Sequence, residues 1–266
     1  MVEIIILVDN KVVDLRPQGL KAEWGFSALI QVNSESVLFD TGQTGVAFEN
    51  LLLLKKQIPE KIVLSHGHYD HTGGLMAFLM AAKDKVKIFA HPDVFLPRTY
   101  KGEYIGIPFL KEKVKQYSTL IEQKEPVKVS NKIWALGEIP RKYKTALLAE
   151  SFIFRNSKKE SDKILDDQSL AIKTGKGTVL VLGCCHSGLE NTIAYAQEIT
   201  SDEVKFVIGG THLIAYKDEE IRELARKLKL DLIAPCHCTG LKAEYLLMEM
   251  FKEKFKFIGS GSVIKI

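Results

Sequence analysis

The sequence predicts an α/β protein in which helices cover the faces of one or two β-sheets. The chain has 266 residues, of which 46% are hydrophobic, so it is long enough to bury a large core. Its apolar runs are short, rich in valine and isoleucine and bounded by turn residues, as strands are. Helical patterns alternate with the later runs, which is typical of sheets covered by helices.

The predicted elements follow one another along a single domain that we assign to residues 1–266. The predicted strands are Ile4–Val8, Ser27–Val32, Val37–Phe39, Lys61–Leu64, Val86–Ala90, Ser169–Ile172, Thr178–Leu182, Lys205–Ile208 and Asp231–Ala234. The predicted helices are Val46–Lys56, Leu75–Lys83, Leu189–Ile199, Asp218–Lys229 and Ala243–Lys254.

Residues 92–165 carry the weakest pattern. They include Pro97, Pro108, Pro126 and Pro140, and they end in a charged stretch at Arg155–Asp167. We interpret this segment as an elaboration over the core, with helical pieces near Leu110–Gln123. A substrate-covering role and a plain surface excursion both stay open, because functional loops and ordinary loops share this composition.

Charge and termini exclude several classes of function. The 37 basic and 33 acidic residues are well mixed, and the formal net charge is +4. No basic block predicts a nucleic-acid arm, so the small excess favours at most an anionic small-molecule substrate. The apolar start at Met1–Val8 is too short to span a bilayer and lacks the features of a secretory signal. We expect a cytoplasmic protein without a membrane segment; the sequence does not indicate the oligomeric state.

The strongest functional signal is the decapeptide Ser-His-Gly-His-Tyr-Asp-His-Thr-Gly-Gly at residues 65–74. His66, His68, Asp70 and His71 place three imidazoles and a carboxylate in one short segment. Nitrogen and oxygen donors of this kind suit a divalent ion such as zinc. The glycines predict a tight turn, so the side chains can converge on one ion.

Three further histidines follow apolar strands and small-residue turns. They are His186, His212 and His237, and each one follows the strand of one of three successive strand–helix units. Ligands are expected beyond the carboxyl ends of strands, so these imidazoles should meet at one sheet edge. Together with His66, which follows another strand, they predict a polynuclear metal site.

Asp40 and the cysteines are predicted to support this site rather than to bind metal. Asp40 also follows a strand, and a carboxylate near metal-bound imidazoles more often orients one of them. Cys184, Cys185, Cys236 and Cys238 all lie within two residues of a histidine. In an extended segment, Cys236 and Cys238 would face away from whatever His237 faces. We therefore favour histidine as the ligand, although thiolate ligation stays open.

The motifs resemble the metallo-β-lactamase superfamily over most of the chain. The residues that carry the resemblance are Asp40-Thr-Gly, His66-x-His68-x-Asp70-His71 and His186. Other segments are similar to a subfamily labelled dihydropterin or methanopterin-precursor synthase-like: Gly25-Phe26-Ser27, Gly137–Arg141, Gly183–Gly188, Gly209–Leu213 and Cys236–Gly240.

The resemblance implies a four-layer αββα sandwich, with residues 92–165 inserted between the second and third motifs. It implies one metal held by His66, His68 and His186, and a second held by Asp70, His71 and His237. Two zinc ions are the expected cofactors; magnesium, manganese and iron stay open. Where many superfamily hydrolases have a bridging aspartate, this chain offers His212, which either binds one metal terminally or contacts the substrate.

Three hypotheses follow for the function. The first is a hydrolase that directs a metal-activated water at an ester, lactone or phosphodiester, with Asp70 orienting the water and shuttling its proton. In it, His212 and Arg141 stabilise the developing anion. The second, implied by the subfamily, is a transferase that joins a pterin diphosphate to an aminobenzene ribotide. The third is a metal- or nucleotide-sensing protein without catalysis.

Overall fold

Two β-sheets pack face to face at the centre of the protein. The computed structural model describes residues 1–145 and 150–266, and the elements below refer to those residues. The strands are β1 (Val2–Val8), β2 (Ser27–Val32), β3 (Glu35–Phe39), β4 (Lys61–Val63), β5 (Val86–Ala90), β6 (Arg98–Tyr100), β7 (Glu103–Tyr104), β8 (Ser118–Glu122), β9 (Val127–Ser130), β10 (Ile133–Ala135), β11 (Ser151–Arg155), β12 (Lys158–Ser161), β13 (Leu170–Thr174), β14 (Gly177–Leu182), β15 (Val204–Gly210), β16 (Leu232–Cys236) and β17 (Val263–Lys265). The helices are α1 (Val46–Leu53), α2 (Tyr69–Thr72), α3 (Leu75–Ala81), α4 (Lys111–Tyr117), α5 (Leu189–Thr200), α6 (Asp218–Lys227) and α7 (Leu241–Phe251).

The described strands form three sheets. One has seven strands in the order β17-β1-β2-β3-β4-β5-β8, and the facing sheet has six in the order β16-β15-β14-β13-β10-β9. A smaller sheet has the order β12-β11-β6-β7. In the two large sheets, β3, β4, β5 and β8 run parallel, and so do β14, β15 and β16. Their carboxyl ends are where ligands are expected.

The alternation of side chains along β1 shows how the layers form. Ile4 and Ile6 point into the core between the sheets, where they share a cluster with Val179 and Val181 of β14. Ile5 and Leu7 point to the opposite face, where they pack with residues of α1 and α3. The outer face of the second sheet is covered by α5, α6 and α7. These layers confirm the predicted αββα sandwich, because each sheet buries apolar side chains on both faces.

Most predicted elements are present with small changes at their ends. Ser27–Val32 and Val86–Ala90 are strands over the predicted residues, and the predicted helix at Leu189–Ile199 extends to Thr200. The strand at Val263–Lys265, which pairs with β1, was not predicted. Among the described residues, no helix has the length and apolarity that a membrane crossing requires.

The prediction of helical pieces over Leu110–Gln123 is correct only for its first half. The chain is helical at Lys111–Tyr117 and then becomes β8, which pairs in parallel with β5. Leu120 packs against the cluster under α3, and Ile121 packs against the core between the sheets. This burial on both faces favours a strand over a continued helix.

Residues 92–165 are also more than an elaboration over the core. Strands β8, β9 and β10 complete the two large sheets, and Val129, Ile133 and Ala135 lie in the core between them. The smaller sheet is the part that lies outside the sandwich, and its strand β12 is exposed. Residues 146–149 of this segment lie outside the described residues.

A buried ion pair fixes the loop that carries the histidine cluster. Arg98 of β6 is fully buried, and its guanidinium donates to both carboxylate oxygens of Asp166 at 3.1 and 3.0 Å. Asp166 also accepts a hydrogen bond from the backbone N–H of Gly67, at 2.7 Å. The smaller sheet is therefore tied to the turn between His66 and His68 by charged, solvent-shielded hydrogen bonds.

The Arg98→Met variant should lose about 3–5 kcal/mol of unfolding free energy, because it leaves the Asp166 carboxylate buried without its cation. Urea denaturation monitored by circular dichroism measures the change. Arg222→Met is the control, since the ion pair of Arg222 with Glu249 is about 40% exposed and should contribute only about 0–1 kcal/mol. Equal losses in the two variants would contradict a structural role for the buried pair.

Gly73 is predicted to tolerate no side chain. A Cβ atom at Gly73 would lie 2.0 Å from the carbonyl oxygen of Gln43, whereas one at Gly45 would have no neighbour within 4 Å. Gly73→Ala should therefore lower the unfolding free energy by about 1–3 kcal/mol through overpacking. Gly45→Ala should stay within about 0.5 kcal/mol of the parent protein. Urea midpoints of the two variants test this, and a stable Gly73→Ala variant would refute it.

Candidate metal centre

The histidine cluster lies directly beyond strand β4, at the edge where the parallel strands of both sheets end. Ser65 and His66 follow β4, and His68 precedes the short helix α2, which contains Asp70 and His71. His186 follows β14, His212 follows β15, and His237 follows β16. The structure thus brings all seven predicted ligand residues to one edge of the sandwich, as their positions at strand ends predicted.

The first predicted ligand set consists of His66, His68 and His186, and the structure brings these side chains together. Nε2 of His66 lies 2.9 Å from Nδ1 of His68. The ring centroid of His186 lies 4.9 Å from that of His66 and 5.1 Å from that of His68. All three side chains are buried. The three imidazoles are therefore close enough for their nitrogens to reach one ion.

The second predicted ligand set consists of Asp70, His71 and His237, and these side chains meet beside the first set. Nε2 of His71 and Nε2 of His237 lie 3.2 Å apart. One Asp70 carboxylate oxygen lies 3.5 Å from Nε2 of His237 and 4.0 Å from Nε2 of His71. The ring centroids of His66 and His71 are 4.3 Å apart, so the two sets adjoin each other.

Outer partners orient several of these imidazoles through Nδ1. Nδ1 of His71 lies 2.7 Å from Asp40 Oδ2, and Nδ1 of His66 lies 2.8 Å from Ser65 Oγ. Nδ1 of His237 lies 3.0 Å from Asn10 Oδ1. In each case Nε2 is left to face the cluster, which is the arrangement that orients metal-ligating histidines. Ser65 and Asn10 were missed in the sequence, although Ser65 directly follows the predicted strand Lys61–Leu64 and Asn10 lies two residues beyond the predicted strand Ile4–Val8.

Asp40 has the contacts expected of a residue that orients a ligand. One carboxylate oxygen accepts from the backbone N–H of Ser65 at 2.7 Å, and the other accepts from Ser65 Oγ at 2.6 Å and from His71. Asp40, His212 and His237 adopt left-handed backbone conformations with φ between 52° and 59°. Such conformations in non-glycine residues are strained and concentrate at functional sites.

Burial and neighbouring charges set the protonation of the cluster. Burial, together with the adjacent imidazoles of His71 and His68, holds the pKa of His66 well below its usual range. Burial, with the charge of Arg98, lowers the pKa of His68 to about 3. Both imidazoles are therefore neutral at physiological pH, which is the form that binds a metal.

Burial and neighbouring charges also set the pKa values of His71 and Asp70. Burial alone would lower the pKa of His71, but the charges of Asp40 and Asp70 and the hydrogen bond with Asp40 act together to raise the pKa to about 9. Burial alone would raise the pKa of Asp70, but the charge of His71 and the hydrogen bond with His237 bring it below its usual value. Asp70 is therefore an ionised carboxylate, and His71 is a basic imidazole whose Nδ1 proton Asp40 holds.

Unpaired imidazole nitrogens show that the residues fit a metal. In residues 1–145 and 150–266, neither ring nitrogen of His186 has a hydrogen-bond partner, nor does Nε2 of His68 or Nδ1 of His212. Buried polar atoms are normally paired, and an unsatisfied one carries a desolvation penalty. A divalent ion would satisfy such nitrogens, and the set of imidazoles with one carboxylate suits zinc.

His212 lies beside the first set, 4.3 Å from His186 between ring centroids. Two sulfurs also lie near it, because the potential ligand atoms of Cys184, His212 and Cys238 are all within 4.8 Å of one another. The expectation for Cys238 was wrong: a 3₁₀ turn at His237–Thr239 replaces the assumed extended segment. The turn brings Cys238 to the same cleft as His237, whereas Cys236 lies in the core between the sheets.

Arg141 does not reach the centre. Its guanidinium donates to the carbonyl oxygen of Ile164 at 2.7 Å, and Arg141 is absent from the described residues that line the cleft. The preceding segment explains this placement, because Ile139 is buried under the helices of the second sheet. The anion-stabilising role predicted for Arg141 therefore has no support in its position.

A cleft of about 240 Å³ opens above the donor atoms. Trp24 and Tyr69 line it, as do Tyr100 of the smaller sheet and Ile105, which follows β7. Two residues of the segment 92–165 therefore line the cleft, and a substrate-covering role for this segment stays a prediction. The lining residues within the described part of the chain are Trp24, His68, Tyr69, Asp70, Tyr100, Ile105, Cys184, His186, His212, His237 and Cys238.

Sequence comparisons agree with this geometry. A family model described as the metallo-β-lactamase superfamily matches residues 25–151. An uncharacterised protein of Methanocaldococcus jannaschii is 35% identical over 98% of this chain and 99% of its own length. Another protein of that organism, named 7,8-dihydropterin-6-methyl-4-(beta-D-ribofuranosyl)-aminobenzene-5'-phosphate synthase, is 32% identical over 92% of this chain and 90% of its own length.

Solved structures of other proteins have a similar fold. The crystal structure of Tm1679, described as a metal-dependent hydrolase of the β-lactamase superfamily, has a TM-score of 0.89 and 28% identity, covering 100% of this chain and 99% of that one. Zinc-bound PqqB from Methylobacterium extorquens has a TM-score of 0.61 at 10% identity, covering 99% and 100%, and is similar in fold alone. With the convergent histidine motifs and relatives matched along nearly its whole length, the chain belongs to the metallo-β-lactamase superfamily.

Proposed function

We propose that this chain is a metal-dependent hydrolase that directs a metal-activated water at a small ester, lactone or phosphodiester. Two zinc ions are the proposed cofactors. His66, His68 and His186 would hold one, and Asp70, His71 and His237 would hold the other. When bound, such ions polarise the substrate and supply a nucleophile at neutral pH.

One observation carries the proposal: two sets of buried donors adjoin each other, and members of both sets line one open cleft, namely His68, Asp70, His186 and His237. His186 offers two ring nitrogens without a partner among the described residues, and His68 offers one. Structural zinc sites are closed, whereas catalytic sites keep a position open to water or substrate. The cleft above these donors has room for such a ligand. This openness favours catalysis over a purely structural ion.

Asp70 is the proposed proton carrier as well as a ligand. It lines the cleft, and its lowered pKa keeps the carboxylate ionised. An ionised carboxylate at this edge can accept a hydrogen bond from the attacking water and orient it. The proton taken from the water can then pass to the leaving group across the open cleft.

His212 is the proposed contact for the developing negative charge. It is buried beside His186. Burial alone would lower its pKa, but the hydrogen bond and charge of Cys238, together with the charges of Asp167 and Asp70, raise the pKa above the usual value. An imidazole that holds a proton at this edge can donate to an oxyanion. Among the described lining residues there is no lysine or arginine, so an anionic substrate would depend on His212 and the metal ions.

A second candidate is a transferase similar to the named synthase. The 32% identity to that relative along 92% of this chain supports it. The aromatic side chains of Trp24, Tyr69 and Tyr100, which line the cleft, would suit a flat ring. Product formation from a dihydropterin diphosphate and an aminobenzene ribotide would distinguish this reaction from hydrolysis.

Metal-loaded protein should hydrolyse at least one of three probes: bis(4-nitrophenyl) phosphate, 4-nitrophenyl acetate and γ-butyrolactone. Removal of metal by a chelator should abolish turnover, and added zinc should restore it. Asp70→Asn should lower kcat by about 10²–10⁴-fold, because it removes the proton-accepting carboxylate. Initial rates measured beside metal content by mass spectrometry separate lost chemistry from lost metal.

Asp231→Asn is the control for this variant, because Asp231 is 57% exposed and precedes β16 at the end remote from the cleft. Its kcat should equal that of the parent. Fully loaded protein that turns over none of the probes would argue against the hydrolase. If such protein bound a nucleotide tightly without turnover, the result would instead favour the hypothesis of a sensing protein without catalysis.

Asp40→Asn should weaken zinc binding by about 10–100-fold, because the amide does not hold the Nδ1 proton of His71 as a carboxylate does. Competition with a chromophoric chelator measures the affinity. The matched control is Asp93→Asn: Asp93 is also a buried aspartate, but it is paired with Arg155 outside the cluster. Unchanged zinc affinity in Asp40→Asn would refute the orienting role.

A further inference from the structure

The sulfur of Cys184 lies at the junction of the two predicted ligand sets. Among the described residues, it belongs to three groups of donors whose ligand atoms all lie within 4.8 Å of one another. These groups are His66–Cys184–His186, His71–Cys184–His237 and Cys184–His212–Cys238. Its distance to Nε2 of His71 is 3.2 Å. No predicted histidine ligand occurs in all three groups.

The other three cysteines do not share this position. Cys185 packs in the core under the helices and contacts Thr192 Oγ1 at 3.4 Å. Cys236 is buried between the two sheets. Cys238 lines the cleft, but its potential partners are His212 and Cys184 rather than the two histidine sets. Its thiol lies 3.5 Å from the carbonyl oxygen of Cys184 and donates to it.

We propose that Cys184 binds metal as a thiolate and bridges the two ions of the proposed hydrolase. Thiolate is an accepted zinc ligand, and a sulfur with several lone pairs can contact two ions at once. A neutral imidazole such as that of His212 binds one ion through one nitrogen. On binding, the thiol proton leaves to solvent and two sulfur–metal bonds form, with no change of oxidation state.

Charge balance supports the bridging position. Six of the seven predicted ligand residues are histidines, and Asp70 is the single carboxylate among them. Two divalent ions bring four positive charges into a buried site, which favours a further anionic ligand. Cys184 is 4% exposed and adjoins both sets. A thiolate here would contribute one negative charge between the two ions, whereas one at Cys238 would lie on the side of His212.

The inference rests on the proposed metal site, and X-ray absorption at the zinc edge tests it separately from activity. Zinc-loaded parent protein should show sulfur at about 2.3 Å in addition to nitrogen and oxygen at about 2.0–2.1 Å. Cys184→Ser should lose the sulfur signal and bind one of its two zinc ions at least about tenfold more weakly. Cobalt-loaded protein should show a sulfur-to-metal charge-transfer band that the same variant lacks.

Cys185→Ser, Cys236→Ser and Cys238→Ser are matched controls and should keep the sulfur signal. If Cys184→Ser does not fold, a signal kept in all three controls still assigns the sulfur to Cys184. A bound zinc with only nitrogen and oxygen neighbours, in protein that hydrolyses the probes, would overturn the bridge and leave the hydrolase intact. A signal lost in Cys238→Ser would overturn the assignment to Cys184. Protein that binds no zinc would overturn both proposals.

Discussion

The face-to-face packing of the two large sheets is the constraint on which the candidate site depends. Ile4 and Ile6 of one sheet meet Val179 and Val181 of the other in a buried core. This packing brings the carboxyl ends of parallel strands from both sheets to one edge of the sandwich. Donors far apart in the chain, such as His71 and His237, come within 3.2 Å of each other there.

A layer of buried hydrogen bonds holds the donors at that edge. Asp40 accepts from Ser65 and His71, and Asp166 accepts from Gly67 and Arg98. Buried charges are tolerated only when they are paired in this way. The same contacts orient the imidazoles, so stability of the loop and orientation of the ligands have one physical origin. Within residues 1–145 and 150–266, the imidazole nitrogens left without partners belong to His68, His186 and His212, and these three residues line the cleft.

Sequence reasoning succeeded where local patterns decide the outcome. Strands such as Ser27–Val32 were predictable because an apolar run between turn residues is buried wherever it packs. The His66–His71 motif was predictable because its ligand spacing is local. Strand β8 was not predictable, because its pairing with β5 overrides the helical pattern that precedes it. Arg141 could not be placed from charge alone.

The sequence alone determined the fold class, the donor types and the strand ends at which the donors sit, since periodicity and turn residues are properties of short segments. Tertiary structure decided which donors share a centre and which side chains support them. Cys184 and Cys238 illustrate the difference: the turn after β16 directs Cys238 into the cleft, and the packing of both sheets sets Cys184 between the histidine sets. Such positions depend on contacts between residues distant in the chain, and no local pattern encodes them.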